Sequence, residues 1–105
     1  PAVGRIKAVY LDRMIGFVGG DLRRREGIGW ISTISVMPLY RRMGVAEALL
    51  EACEKEMDMP RVKLVVRKSN MSAQMLYLKH GYQRVETWTH YYQGGEDGIL
   101  MEKQR

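Results

Sequence analysis

The chain has 105 residues, with 17 Lys and Arg against 12 Asp and Glu and a formal charge of +5. Its length allows one domain over 1–105, and 46% hydrophobic with 28% charged residues excludes wholesale disorder. No apolar run reaches the roughly 20 residues of a bilayer span, the opening PAVGRIKAVYLD lacks a signal peptide's apolar core, and one cysteine with two histidines argues against a disulfide or a structural metal site. A reducing cytoplasm fits this usage.

Arg5–Asp12 (RIKAVYLD) alternates as a strand, with Ile6, Ala8 and Tyr10 on one face. After Arg13-Met14, Ile15–Leu22 (IGFVGGDL) returns. Gly16, Gly19 and Gly20 weaken it and mark either a bulge or room for a close neighbour. Arg25-Glu26-Gly27 turns the chain into Trp30–Met37 (WISTISVM), rich in β-branched residues and ended by Pro38. These strands predict an antiparallel meander.

The period then changes. Val45, Ala48, Leu49, Ala52 and Cys53 recur at helical spacing, with Glu47, Glu51, Glu54 and Lys55 on the other side and Met59-Pro60 as the stop. Val62–Val66 (VKLVV) is an apolar run of strand length, buried on both faces. Asn70 opens a second helix with Ala73, Leu76, Tyr77 and His80 on one stripe, and Gly81 ends it. Tyr82–Tyr92 and Ile99–Glu102 form the last strands around the turn Gly94-Gly95-Glu96-Asp97-Gly98. The order β-β-β-α-β-α-β-β predicts an α/β fold with a mixed, mostly antiparallel sheet, because a helix joins the third and fourth strands.

Arg41-Arg42-Met43-Gly44-Val45-Ala46 lies between a strand end and a helix start. Free N–H groups and the positive dipole end make such a start an anion site, and Gly44 permits close backbone approach. A basic helix start with a packing glycine is the plain alternative. Neither a dinucleotide glycine motif nor a Walker loop is present. The basic excess suits nucleic acid, an anionic membrane face or a phosphorylated small molecule. It is dispersed, however, Arg23-Arg24-Arg25 being its only run of three, and no aromatic-basic nucleic-acid motif accompanies it.

The pattern R-x-x-G-x-A after ISTISVMP resembles the acyl-CoA pyrophosphate loop of the GNAT superfamily of N-acetyltransferases. Asn70, Ala73, Leu76, Tyr77, Gly81 and Tyr82 resemble its second signature, N-x-x-A-x-x-L-Y-x-x-x-G-[FY]. The tail HYYQGGEDGILMEK resembles the Y-Y-x-x-G-E-D-A ending of the branch that acetylates protein N-termini. The resemblance covers nearly the whole chain and implies acetyl-CoA as cofactor. Arg41, Arg42, Gly44 and Ala46, with the intervening backbone of Met43 and Val45, would hold its pyrophosphate. Val36 and Met37 would pair with the pantetheine amides, and Asn70 would touch the cofactor arm. Tyr77 would protonate the departing thiolate, its alternative being a core aromatic. Cys53 sits on the apolar stripe and reads as core rather than nucleophile.

The implied reaction is direct transfer to a neutral amine, favouring a protein or peptide N-terminus, with a small-molecule amine as alternative. His90, Tyr91, Tyr92 and Glu96 are the expected acceptor-side residues; for His90 the alternative is a surface histidine in a strand. Two features depart from the family. Val65 stands where relatives commonly carry Glu or His, so the base would be a water chain or one of His90, Tyr91 and Glu96. The strand and two helices that usually open the family are missing from this sequence. That leaves a sheet face and edge exposed and predicts a covering partner, most simply a second copy in a homodimer. A non-catalytic acyl-CoA-binding module is the competing reading, and a small nucleic-acid-binding domain the third.

Overall fold

The computed structural model describes residues 3–11, 16–36 and 44–105. In chain order these form β1 (Val3–Leu11), β2 (Gly16–Arg23), β3 (Ile28–Val36), α1 (Val45–Met57), β4 (Arg61–Arg67), α2 (Met71–Lys79), β5 (Gln83–Trp88) and β6 (Gly98–Gln104). The strands make one six-stranded sheet in the order β1-β2-β3-β4-β6-β5. Only β3 and β4 run parallel; the other four pairings are antiparallel. The predicted element order and mixed sheet are therefore observed, and α1 supplies the crossover that a parallel pair requires.

Alternation fixes which face is covered. Along β4, Val62, Leu64 and Val66 are buried while Lys63 and Val65 are only partly so. The buried set joins Leu49, Leu50, Cys53 and Met57 of α1, with Ala73, Tyr77 and Leu78 of α2 packed against the same cluster. Both helices thus lie on one face. The other face carries Arg61 and Lys63 beside Glu102, at 3.0 and 3.5 Å, with Lys63 Nζ also 5.6 Å from the centroid of the Trp30 ring. No helix among the described residues is long and apolar enough to cross a membrane.

The strand glycines serve both purposes foreseen for them. Gly19 pairs with Thr33 and Gly20 with Ile31, leaving Ser32 as the extra residue of a bulge in β3. A Cβ on Gly20 would collide with Met57 Cε and stand 2.5 Å from the Trp30 carbonyl oxygen; one on Gly29 would stand 2.6 Å from Met57 Sδ. Glycine here lets α1 settle onto the sheet.

Three expectations need correction. The run Val62–Val66 is covered on one face only, Lys63 and Val65 being partly exposed because both helices pack on the other side. The run Tyr82–Tyr92 is strand only through Trp88, because His90 takes a left-handed backbone (φ 54) and the chain turns there. Glu54 does not face solvent with Glu51 and Lys55. It is 6% exposed, accepting from the Tyr82 hydroxyl at 2.6 Å and from Lys103 Nζ at 2.9 Å.

Candidate active site

β3 and β4 pair only from Ile28↔Arg61 to Ile31↔Leu64. Beyond that point β3 stays with β2 as far as Val36, while β4 stays with β6 as far as Arg67. The two strands part, and the Ser32 bulge sits where they do so, bending β3 away. The resulting wedge holds a cavity of about 290 Å³ lined by Ser32, Thr33, Val65, Arg67, Tyr77 and Tyr92 among others.

On one side the wedge adjoins a groove of about 340 Å³ between the end of β3, the start of α1 and α2. Val36, Ala46, Asn70, Ala73 and Tyr77 line it. Gly44 precedes α1 in a left-handed conformation (φ 78) and makes no side-chain cap, so among the described residues the first-turn N–H groups have no side-chain capping acceptor from the N-cap position. Among the described residues beyond its chain neighbours and the helix backbone, none lies within 4 Å of the place a Gly44 Cβ would take. Glu47, the acidic residue of that first turn, is tied to Lys79 Nζ at 3.3 Å. His80 Nε2 stands 3.2 Å from its other oxygen without an aligned hydrogen bond. Lys79 first and His80 next hold the Glu47 carboxyl below the usual range.

Asn70 N-caps α2, its Oδ1 accepting from the Ala73 N–H at 3.2 Å, and this capping side chain also borders the groove. The far end of α2 closes as Gly81 predicts. Gly81 (φ 96) donates to the Leu78 carbonyl and Tyr82 to the Tyr77 carbonyl, a Schellman stop. That stop stacks the Tyr82 ring on the Tyr77 ring, centroids 5.7 Å apart, and so fixes where the Tyr77 phenol points. Burial, and then the nearby Tyr92, push the Tyr77 hydroxyl above its ordinary pKa, keeping it protonated at neutral pH.

On the other side is a cleft of about 390 Å³, lined by Asp21, Trp30, Ser32, Val65, Trp88, Tyr91 and Tyr92, with Arg23 at its edge. Trp30, Trp88, Tyr91 and Tyr92 form a chain of ring contacts with centroids 6.2, 5.2 and 5.0 Å apart. The Tyr92 hydroxyl donates to the Val65 carbonyl at 3.3 Å, and the Arg67 guanidinium lies 4.1 Å from its ring centroid. Burial raises the Tyr92 pKa first, with Tyr91 adding to it.

Of the expected acceptor-side residues, the structure brings Tyr91 and Tyr92 to this cleft. His90 is exposed outside it, and Glu96 is turned to Arg67 and Ser69 instead. Among the expected cofactor-side residues, Val36, Gly44, Val45, Ala46, Asn70 and Tyr77 gather around the groove mouth and helix start. Met37, Arg41, Arg42 and Met43 lie outside the described residues. Sequence reasoning singled out neither Trp30 nor Trp88 for this cleft.

The Acetyltransferase (GNAT) family matches residues 2–82. N-alpha-acetyltransferase 20 of Dictyostelium discoideum is 42% identical over 85 residues, covering 74% of this chain and 49% of that protein. The N-alpha-acetyltransferase of Sulfurisphaera tokodaii is 43% identical over 77 residues, covering 70% and 46%. Among solved structures, the Escherichia coli ribosomal-protein-S18-alanine N-acetyltransferase superposes with a TM-score of 0.81 at 27% identity, covering 98% of this chain and 69% of that one. Chaetomium thermophilum Naa20, solved with a bisubstrate analogue, gives 0.77 at 27% identity over 91% and 64%. The chain spans about half the length of the two sequence relatives named. With the parted strands, the two signatures and the family match agreeing, the chain belongs to the GNAT acetyltransferase family.

Proposed function

We propose that this chain, acting as one domain over 1–105, transfers an acetyl group from acetyl-CoA to a primary amine, with a protein or peptide N-terminus as acceptor. One observation carries the reading: the wedge between β3 and β4 connects a groove at a helix N-terminus to an aromatic cleft. The groove and wedge share Ile34, Asn70, Ala73 and Tyr77, and the wedge and cleft share Ile31, Ser32, Val65 and Tyr92. Donor and acceptor can therefore meet inside the sheet.

The residues present suit acetyl-CoA. The uncapped start of α1, with open space at Gly44 and the small Ala46, fits a pyrophosphate. In this reading Arg41, Arg42 and Met43 complete that loop, and Val36 and Met37 face the pantetheine. Acetyl-CoA supplies a thioester whose carbonyl is open to attack by a neutral amine. Tyr77, protonated and aimed by Tyr82, is the proton donor for the leaving sulfur. Backbone N–H groups of β3 beyond the bulge are the donors available to a developing oxyanion. Tyr91 and Tyr92, with Trp30 and Trp88, hold the acceptor and keep water out. Cys53 takes no part, since burial pushes its thiol up to about 11.

The wedge lining contains no Asp, Glu or His, and Val65 cannot accept a proton. This favours an acceptor that arrives neutral or loses its proton through water. The same fact supports the second reading, an acyl-CoA-binding module without turnover. Acetylation of peptides with varied first residues, run beside small polyamines and read by mass spectrometry, separates these readings. Transfer to peptides supports the proposal, transfer only to polyamines moves the acceptor class, and acetyl-CoA binding with no transfer leaves the module. The reading also places the chain in the cytoplasm and has a second copy cover the open sheet face, which light scattering on the purified chain checks.

A further inference from the structure

The segment 89–97 between β5 and β6 carries Tyr91 and Tyr92, so it forms one wall of the aromatic cleft. Tyr77 sits across the wedge on α2. We propose that Glu96 is a positioning residue, its carboxylate clasping the acceptor wall onto the turn that starts α2 and so holding Tyr92 in register with Tyr77. The inference rests on the wedge being the transfer site.

Both carboxylate oxygens are used on that turn. Oε1 accepts from Arg67 Nη1 at 3.0 Å, and Oε2 accepts from the Ser69 N–H at 2.8 Å. The neighbouring backbone follows: the Asp97 carbonyl accepts from the Lys68 N–H at 3.1 Å, and the Glu96 carbonyl accepts from the Tyr92 N–H at 3.0 Å. Arg67, the partner of Glu96, also lies over the Tyr92 ring. A single carboxylate thus reaches the aromatic wall through both its own backbone and its arginine.

The turn is gripped equally from the helix side. Gln74, 3% exposed, donates its amide to the Arg67 and Lys68 carbonyls at 3.2 and 2.8 Å, and its oxygen accepts from Arg84 Nε at 3.0 Å. Tyr77 follows Gln74 by one helical turn. Residues 67–69 are therefore a joint: Glu96 ties the wall to it and Gln74 ties α2 to it. Loosening the joint separates the Tyr92 wall that holds the acceptor from the Tyr77 hydroxyl that serves the leaving group. Misplacement of about 1 Å in such an arrangement costs on the order of 100-fold in rate. Glu96 itself lines neither groove, wedge nor cleft, so the role argued for it is one of positioning.

The test compares wild type, Glu96→Ala, Glu96→Gln and Arg67→Gln by NMR of labelled Tyr rings and by steady-state kinetics with acetyl-CoA and a peptide acceptor. Glu96→Ala is expected to move or broaden the Tyr77 ring signals as well as those of Tyr92 and the Ser69 amide. It should raise the peptide KM and lower kcat, by about tenfold or more in kcat/KM, with the acetyl-CoA Kd within about twofold. Glu96→Gln keeps an acceptor for the Ser69 N–H and should recover much of the loss; Arg67→Gln should fall between. Unmoved Tyr77 signals in Glu96→Ala, or unchanged peptide kinetics in an active enzyme, would overturn the clasp. Absence of turnover in wild type would instead overturn the transfer function, while the ring signals of the same samples still decide the clasp.

Discussion

Tyr82→Phe removes one oxygen from the best-buried polar contact of the molecule. The Tyr82 side chain is 1% exposed, and its hydroxyl donates to Glu54 Oε2 at 2.6 Å. Glu54 keeps Lys103 on its other oxygen but has no water to replace the lost donor, being itself 6% exposed. A hydrogen bond to a charged group contributes about 1.5–3 kcal/mol, and an orphaned buried acceptor places the loss in the upper part of that range. For a domain of this size 2–3 kcal/mol lowers Tm by roughly 10–20 °C. Urea unfolding followed by tryptophan fluorescence should show a lower midpoint with an unchanged slope. The Phe ring preserves the stack on Tyr77, so the folded variant should keep its kcat. A loss below about 0.5 kcal/mol, within the range of an ordinary surface change, would refute the claim that Tyr82 secures the buried Glu54. A fall in kcat at full folding would refute the claim that the ring alone aims Tyr77.

Three further outcomes follow from the same geometry. Tyr77→Phe should reduce kcat by on the order of 100-fold, as expected for loss of a general acid, while calorimetry finds acetyl-CoA affinity within about twofold. Arg61, aided by Lys63, holds the Glu102 carboxyl below its ordinary range. A depressed pKa contributes stability above the unfolded value of about 4.3 and loses it as pH falls through the folded one. The stability difference between wild type and Glu102→Gln should therefore be flat from pH 6 to 8 and shrink below about pH 4. Cys53, fully buried and pushed up to about 11, should react with a thiol reagent only at the rate of unfolding.

Much of this was legible before any coordinates, for identifiable reasons. A change from period two to helical period is a local property, so Val45–Met57 and the flanking strands could be read directly. Gly81 announced its helix stop because only glycine takes that left-handed position freely. The glycines of β2 were ambiguous alone, since bulge and close approach use the same residue, and here both occur. What stayed hidden depends on partners far away in sequence. Glu54 reads as a solvent residue until Tyr82 and Lys103, 28 and 49 positions on, arrive beside it. The aromatic run to Tyr92 reads as strand because its turn at His90 is closed by the Asp97 side chain and then anchored by distant bonds to Lys68 and Val65. The lining of the aromatic cleft was half legible: Tyr91 and Tyr92 by their motif, Trp30 and Trp88 only once the sheet brought them together.

The central claim is that donor and acceptor reach one another through the parted strands. A conjugate of CoA joined through an acetyl bridge to a peptide amine tests it directly by calorimetry. If groove, wedge and cleft are continuous, the conjugate should bind at least about 100-fold more tightly than CoA, the usual gain when two linked groups engage adjacent sites. Affinity equal to that of CoA alone would mean that the aromatic cleft takes no acceptor through the wedge, and would contradict the account.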